Sequence, residues 1–110
     1  MMDLIKSTTP NTPSVDIDIE NDVSLIIFTS GTTGLPKGAM ITYWNALYKA
    51  VSTGTCYYFN EYDVFLSTQP IYHIAGMCMM NTHIYNGSTM VLITKYAPEI
   101  VMEAIEKFKC

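Results

Sequence analysis

The chain has 110 residues, 49% of them hydrophobic and 15% charged, a balance that excludes disorder and collagen-like repetition and fits one compact domain or a piece of a larger one. Six Lys and Arg against ten Asp and Glu give a formal charge of −4, so the chain lacks the cationic surplus that nucleic acid or an anionic membrane demands. Three cysteines, Cys56, Cys78 and Cys110, stand far apart without a C-x-x-C pair, which argues against a disulfide framework or zinc ribbon and for a reducing, cytoplasmic setting.

Residues 1–15 read as a linker, because residues 7–14 (STTPNTPS) hold two prolines among hydroxyl and amide side chains and feed an acidic stretch at 16–22. No uncharged apolar run approaches a bilayer span, so neither a targeting nor a membrane-crossing segment is expected. Residues 23–29 (VSLIIFT) are β-branched and aromatic without polar alternation, the pattern of a strand buried on both faces. Residues 39–42 fit a second short strand.

Trp44, Leu47, Tyr48 and Val51 then recur at i, i+3, i+4 and i+7, predicting a helix with Thr42 as N-cap and Gly54 as its stop. Residues 64–67 predict a strand. Residues 75–85 predict a helix buried nearly all round and ended by Asn86-Gly87, and residues 89–94 another strand. Pro98 opens a last helix whose apolar stripe is Ile100, Ala104 and Phe108, reinforced by Val101 and Ile105, with Glu103 and Lys107 spaced i to i+4. Strands alternating with helices imply a layered α/β architecture. Strand order is not readable from this pattern.

The chemistry concentrates between residues 29 and 38, where Thr29, Ser30, Gly31, Thr32, Thr33, Gly34, Lys37 and Gly38 form an anion-binding inventory. Glycines let backbone N–H groups approach a phosphate, hydroxyls add donors, and one ammonium supplies a charge-assisted contact. The Walker A pattern is not met, since Pro36 precedes Lys37, Gly38 replaces the Mg-binding Ser or Thr, and β-leaning residues follow. The loop is therefore a strand-loop-strand device, and on residues alone a plain flexible hairpin connection accounts for it as well.

The segment IIFTSGTTGLPKGAMIT resembles the phosphate-binding signature of the AMP-forming acyl-CoA synthetases, in the adenylate-forming superfamily. NDVSLIIF is similar to the strand entering that loop, DVFLSTQPIYHIAGM to the later P-x-x-H-x-x-G segment, and NGSTMVLITKYAPEIVMEAIEKFK to the strand and helix that follow. The resemblance implies a two-step reaction. A carboxylate, by flavour a fatty acid, attacks the α-phosphate of Mg-ATP to give acyl-AMP and pyrophosphate, and coenzyme A thiolate then displaces AMP.

By the same resemblance Thr29, Ser30, Gly31, Thr32, Thr33, Gly34 and Lys37 contact the ATP phosphates, with Thr29 also near the Mg ion. His73 corresponds to the family histidine beside the activated carboxylate that gates the acyl pocket, and Gly76 to a place where backbone or acyl chain passes closely. On residues alone, a single His in an apolar segment reads as a core residue. Its role as a general base is not implied, because a carboxylate substrate is already ionised at neutral pH. Tyr43-Trp44-Asn45 depart from the His-Arg-Asn usual in the family, which removes contacts made there by a histidine.

His73, Cys78 and His83 fall off a common helical face, against a metal site. Met77, Met79 and Met80 read as packing, with an acyl pocket as the alternative. The family's adenine pocket, acidic Mg-binding motif, ribose-binding Asp, hinge and small domain with its catalytic Lys have no counterpart in this sequence. The resemblance thus implies that residues 16–110 are an internal piece of the large N-terminal domain, inactive alone and prone to self-association through uncovered faces. Two other classes stay open: a non-catalytic nucleotide- or phosphate-binding module, and an interaction remnant.

Overall fold

The computed structural model describes residues 13–31 and 34–110; most of the expected linker, together with Thr32 and Thr33, lies outside them. The acidic stretch is a tight turn in which the Asp18 carboxylate accepts from the Glu20 and Asn21 backbone amides and from the Asn21 side chain. Those hydrogen bonds, the Asn21 side chain foremost, hold the exposed Asp18 carboxyl below its usual range.

Strands β1 (Val23–Phe28) and β2 (Gly38–Thr42) pair antiparallel, with Phe28 opposite Gly38 and Val23 opposite Thr42. The register slips between Val23 and Leu25, and the extra residue, Ser24, donates its hydroxyl to the Ile41 carbonyl at 3.0 Å. A bulge of this kind sharpens the local twist. The expectation that β1 is buried on both faces fails, for Ile26 is 55% and Phe28 72% exposed. Each small sheet has two strands, and this face of β1 is left largely open among the described residues.

Helix α1 (Tyr43–Tyr57) starts where expected. Thr42 accepts from the Asn45 amide and the Asn45 side chain accepts from the Thr42 amide, both at 3.2 Å, a reciprocal cap that satisfies two otherwise orphaned donors. Gly54 does not stop the helix, which runs on to Tyr57 and ends on a left-handed Tyr58 whose amide returns to the Gly54 and Thr55 carbonyls. Gly54 is instead buried against the Asn86 side chain, where a Cβ would overlap that amide group.

The apolar stripe also faces the other way from expectation. Trp44, Leu47 and Tyr48 are exposed, while the packed face consists of small residues: Ala50, Thr53 and Gly54 are buried, with half-buried Ala46 one turn earlier. Small residues at i, i+4, i+7 and i+8 let a second helix approach closely.

That second helix is α2 (Ile74–Asn86), which connects β3 (Val64–Ser67) to β4 (Thr89–Leu92). The two strands pair in parallel, Val64 opposite Thr89 and Ser67 opposite Leu92, so α2 is the crossover of a β-α-β unit. It ends on a left-handed Gly87, as Asn86-Gly87 predicts. It is not buried all round: Gly76, Thr82 and His83 are buried, but Ile84 is 72% exposed. Helix α3 (Pro98–Phe108) packs on β3, with Ala104 as its buried residue and Ile100, Ile105 and Phe108 partly uncovered.

The layered α/β class holds, but the core is thin. Among the described residues the fully buried hydrophobic side chains are Ala50 and Ala104. The close contact between α1 and α2 therefore carries an unusual share of the packing. Ala at an ordinary helical Gly stabilises by about 1 kcal/mol, but at Gly54 the overlap with Asn86 reverses the sign. Gly54→Ala lowers the thermal midpoint, by an equivalent of about 1–3 kcal/mol, and Gly54→Ala/Asn86→Ala recovers part of the loss in a double-mutant cycle read by circular dichroism.

Candidate functional site

The loop between β1 and β2 is closed at its neck by the Thr29 amide donating to the Lys37 carbonyl at 2.9 Å, with the Thr29 hydroxyl reaching the same oxygen at 3.4 Å. Above the neck Gly31 turns with φ +56°, and a Cβ there would lie 2.8 Å from the Gly34 carbonyl oxygen. Both facts require glycine at that position. Thr29, Ser30, Gly34 and Lys37 are exposed, so the Ser30 hydroxyl and the Lys37 ammonium are open to a ligand, while the Thr29 hydroxyl is directed at the neck. Thr32 and Thr33 lie outside the described residues.

Across from the loop stands the start of α2. His73 is its N-cap, and its Nδ1 accepts from the Ala75 amide at 3.2 Å. A ring nitrogen that accepts carries no proton, so in the neutral imidazole the proton sits on Nε2. Nε2–H is thereby a donor suited to a carboxylate or phosphoryl oxygen. The reading of His73 as a core residue is corrected here, because it is exposed and its ring nitrogen is engaged in capping.

These two elements face one cleft of about 730 Å³, lined by Phe28, Thr29, Ser30 and Pro36 on the loop side and by Tyr72, His73 and Ile74 on the other. The geometry thus brings Thr29, Ser30 and His73 together. Gly31, Gly34 and Lys37 belong to the same loop without lining that cleft. Gly76 is not on its wall either: it is buried against the 70–71 turn, where a Cβ would overlap the Pro70 carbonyl. The close passage at Gly76 is made by backbone.

Two further clefts adjoin. One of about 420 Å³ opens at the carboxyl ends of β3 and β4, lined by residues 68–72 and by Leu92, Ile93, Thr94 and Tyr96; crevices at the carboxyl ends of parallel strands are where α/β sheets bind ligands. It shares Tyr72 with the first cleft, a residue sequence reasoning passed over although it directly precedes His73. The other, of about 270 Å³, is apolar and lies between the β1–β2 sheet and the two helices, with Leu25, Ile41, Ala46, Ile74, Met77 and Cys78 on its wall. Of the methionine group, Met77 faces this space. His83, by contrast, is deep in the fold, near the opposite end of α2 from His73.

Residues 3–110 match the family described as AMP-binding enzyme, and the chain belongs to that family. It is 34% identical over 101 residues to a 2-succinylbenzoate–CoA ligase of Bacillus cytotoxicus, an alignment covering 87% of this chain and 21% of the relative. Among solved structures it is similar to a long-chain-fatty-acid-CoA ligase from Archaeoglobus fulgidus, with TM-score 0.85 and 29% identity over 98% of this chain and 22% of that one. It is likewise similar to the o-succinylbenzoate coenzyme A synthetase of Bacillus subtilis in complex with ATP and magnesium ion, with TM-score 0.80 and 26% identity over 96% of this chain and 22% of that one. The chain spans about a fifth of the length of these relatives. No described helix is long and apolar enough to cross a membrane.

The cap separates two roles of His73. His73→Ala removes both the cap and the imidazole and destabilises α2 by about 1 kcal/mol, whereas His73→Asn restores a capping acceptor and keeps the melting temperature near that of the parent chain. At Gly76 the obstacle is backbone and cannot swing aside. Gly76→Ala is accordingly more destabilising than Gly54→Ala, as denaturant unfolding monitored by circular dichroism measures.

Proposed function

We propose that the chain supplies the ATP-phosphate grip and one wall of the acyl site of an AMP-forming carboxylate–CoA ligase, with residues 16–110 forming part of its larger, N-terminal domain. What supports this reading is the single juxtaposition of a donor-rich glycine loop and an Nε2-protonated His73 across one cleft. Thr29, Ser30, Gly31, Thr32, Thr33, Gly34 and Lys37 bind the polyphosphate, and the Thr29 hydroxyl would be the group nearest a magnesium ion carried with it. His73 orients the carboxylate oxygen as it attacks the α-phosphate and pyrophosphate departs, and coenzyme A thiolate then displaces AMP. His73 gates the acyl pocket in this reading, and Gly76 supports it by letting α2 sit hard on the 70–71 turn.

Magnesium, when bound with ATP, supplies charge neutralisation on the leaving pyrophosphate. The chain's own contribution is positioning. The apolar cleft beside Met77 and Cys78 suits an aliphatic or aryl acyl group equally; the similarity to a long-chain-fatty-acid-CoA ligase supports the first and the 2-succinylbenzoate relatives the second. A cytoplasmic setting, where ATP and coenzyme A are available, belongs to the same proposal.

A second reading rests on the loop itself, an exposed set of hydroxyls and one ammonium around the turn at Gly31: a phosphate-binding module without chemistry of its own. ATP titration followed by amide shifts in the loop, together with carboxylate-dependent ATP–pyrophosphate exchange using a long-chain fatty acid and o-succinylbenzoate, separates the two. The expected result is saturable ATP binding in the millimolar range, on the order of 4 kcal/mol, weakened by about 1–3 kcal/mol in Lys37→Ala. Exchange is expected once the matched segment of the Bacillus cytotoxicus ligase is replaced by residues 16–110. Binding with an inactive chimera supports the module, and the absence of any Lys37-dependent binding overturns both.

A further inference from the structure

His83 is used by nothing proposed above, yet it is 1% exposed. Its ring joins a cluster with Phe59 and Phe65, each centroid 4.6 Å from its own. The Ser88 hydroxyl donates to the His83 carbonyl at 3.3 Å, which leaves its oxygen free to accept from Nδ1 at 2.6 Å. In that arrangement the proton is on Nδ1. Nε2 is buried with no hydrogen-bond partner, so the next proton the ring takes up would create a buried cationic N–H with no acceptor.

These contacts tie three elements together. Phe59 follows α1, Phe65 is on β3, and Ser88 leads into β4, while the Ser88 amide also donates to the His83 carbonyl at 3.0 Å. Strands β3 and β4 carry no ionisable side chain. The charge that acts on the ring is Asp63, at the entrance to β3, which favours protonation, but burial outweighs it and holds the imidazole below its ordinary range. Around the cluster, Glu61 lies beside Gly87, Lys49 of α1 lines the apolar cleft next to Cys78, Tyr85 shares α2 with His83, and the acidic residues of α3 on β3 (Glu99, Glu103, Glu106) are exposed.

We infer that His83 is an acid-sensitive latch: neutral, it locks the C-terminal end of α2 onto the β3–β4 pair, and protonated, it releases that end, while the seat of Gly76 on the 70–71 turn holds the other. The sign follows from linkage. An unfolded histidine gains its proton near pH 6.5 and the buried one only at lower pH, so the latch is fully closed above about 6.5 and weakens as pH falls below it. The β1–β2 hairpin, which holds the phosphate loop, is outside this cluster and stays closed.

The chain has two histidines, so His73→Asn leaves one imidazole whose NMR titration belongs to His83. The expected midpoint is below about 6.5. In the parent chain, amide exchange corrected for its intrinsic pH dependence gives an opening equilibrium for residues 82–90 that rises by up to about thirtyfold from pH 7.5 to 5.0, the limit for one linked proton, with β1 and β2 unchanged. In His83→Phe the same opening is flat with pH. A midpoint at or above 6.5 overturns the inference, and this direct titration stands even if His83→Phe fails to fold. An equal acid response in His83→Phe, or uniform opening of every element, overturns it too.

Discussion

Two helices approach so closely that a single methyl group added at their contact must displace a hydrogen-bonded side chain. Gly54 of α1 rests on the Asn86 amide, and at the other end of α2 Gly76 rests on the Pro70 carbonyl. Both contacts fix α2 along its length, since Asn86 is itself pinned by donating to the Thr82 carbonyl at 2.7 Å. Once α2 is fixed, His73 is fixed at its N-terminus. The distance across the cleft between His73 and the loop then depends on glycine packing several residues away from either.

The polarity of the site follows from the same economy of donors. His73 spends Nδ1 on a helix amide, as Thr42 spends its hydroxyl on α1, and only the histidine has a second ring nitrogen left for a ligand. On the loop side the constraints among the described residues are the turn at Gly31 and the Thr29–Lys37 neck, which leave Ser30 and the Lys37 ammonium exposed. A net-acidic chain can therefore offer a locally cationic, donor-rich edge without a basic surface. The cost lies in stability, with apolar side chains such as Phe28, Trp44 and Tyr72 left facing outward.

Much of this was legible in the residues. Thr42 as a cap, the strand at Val64–Ser67, the Asn86-Gly87 terminus and Pro98 at a helix start all use local chemistry that needs no tertiary context. The strand-loop-strand form around residues 29–37 was legible for the same reason, since its glycines and flanking β-branched residues lie in one stretch. Gly54 was misread because a glycine that stops a helix and one that admits a neighbour look alike until the neighbour is known. The stripe of Trp44, Leu47 and Tyr48 marks an apolar face correctly but not what covers it, whereas the face that packs is built from Ala50, Thr53 and Gly54, which carry almost no hydropathy signal. Tyr72 in the cleft wall and His83 in the aromatic cluster depend on contacts between segments far apart in sequence, which periodicity does not report.

The topology also sets an order of events. The β1–β2 pair joins segments that are close in sequence, and a hairpin of this kind closes in microseconds. The parallel β3–β4 pair has the whole of α2 between its strands and cannot register until that helix has formed and docked, which makes it the slower, higher-contact-order step. The glycine-rich loop between β1 and β2 is therefore closed before the histidine that faces it arrives, and the cleft comes into being only when α2 docks.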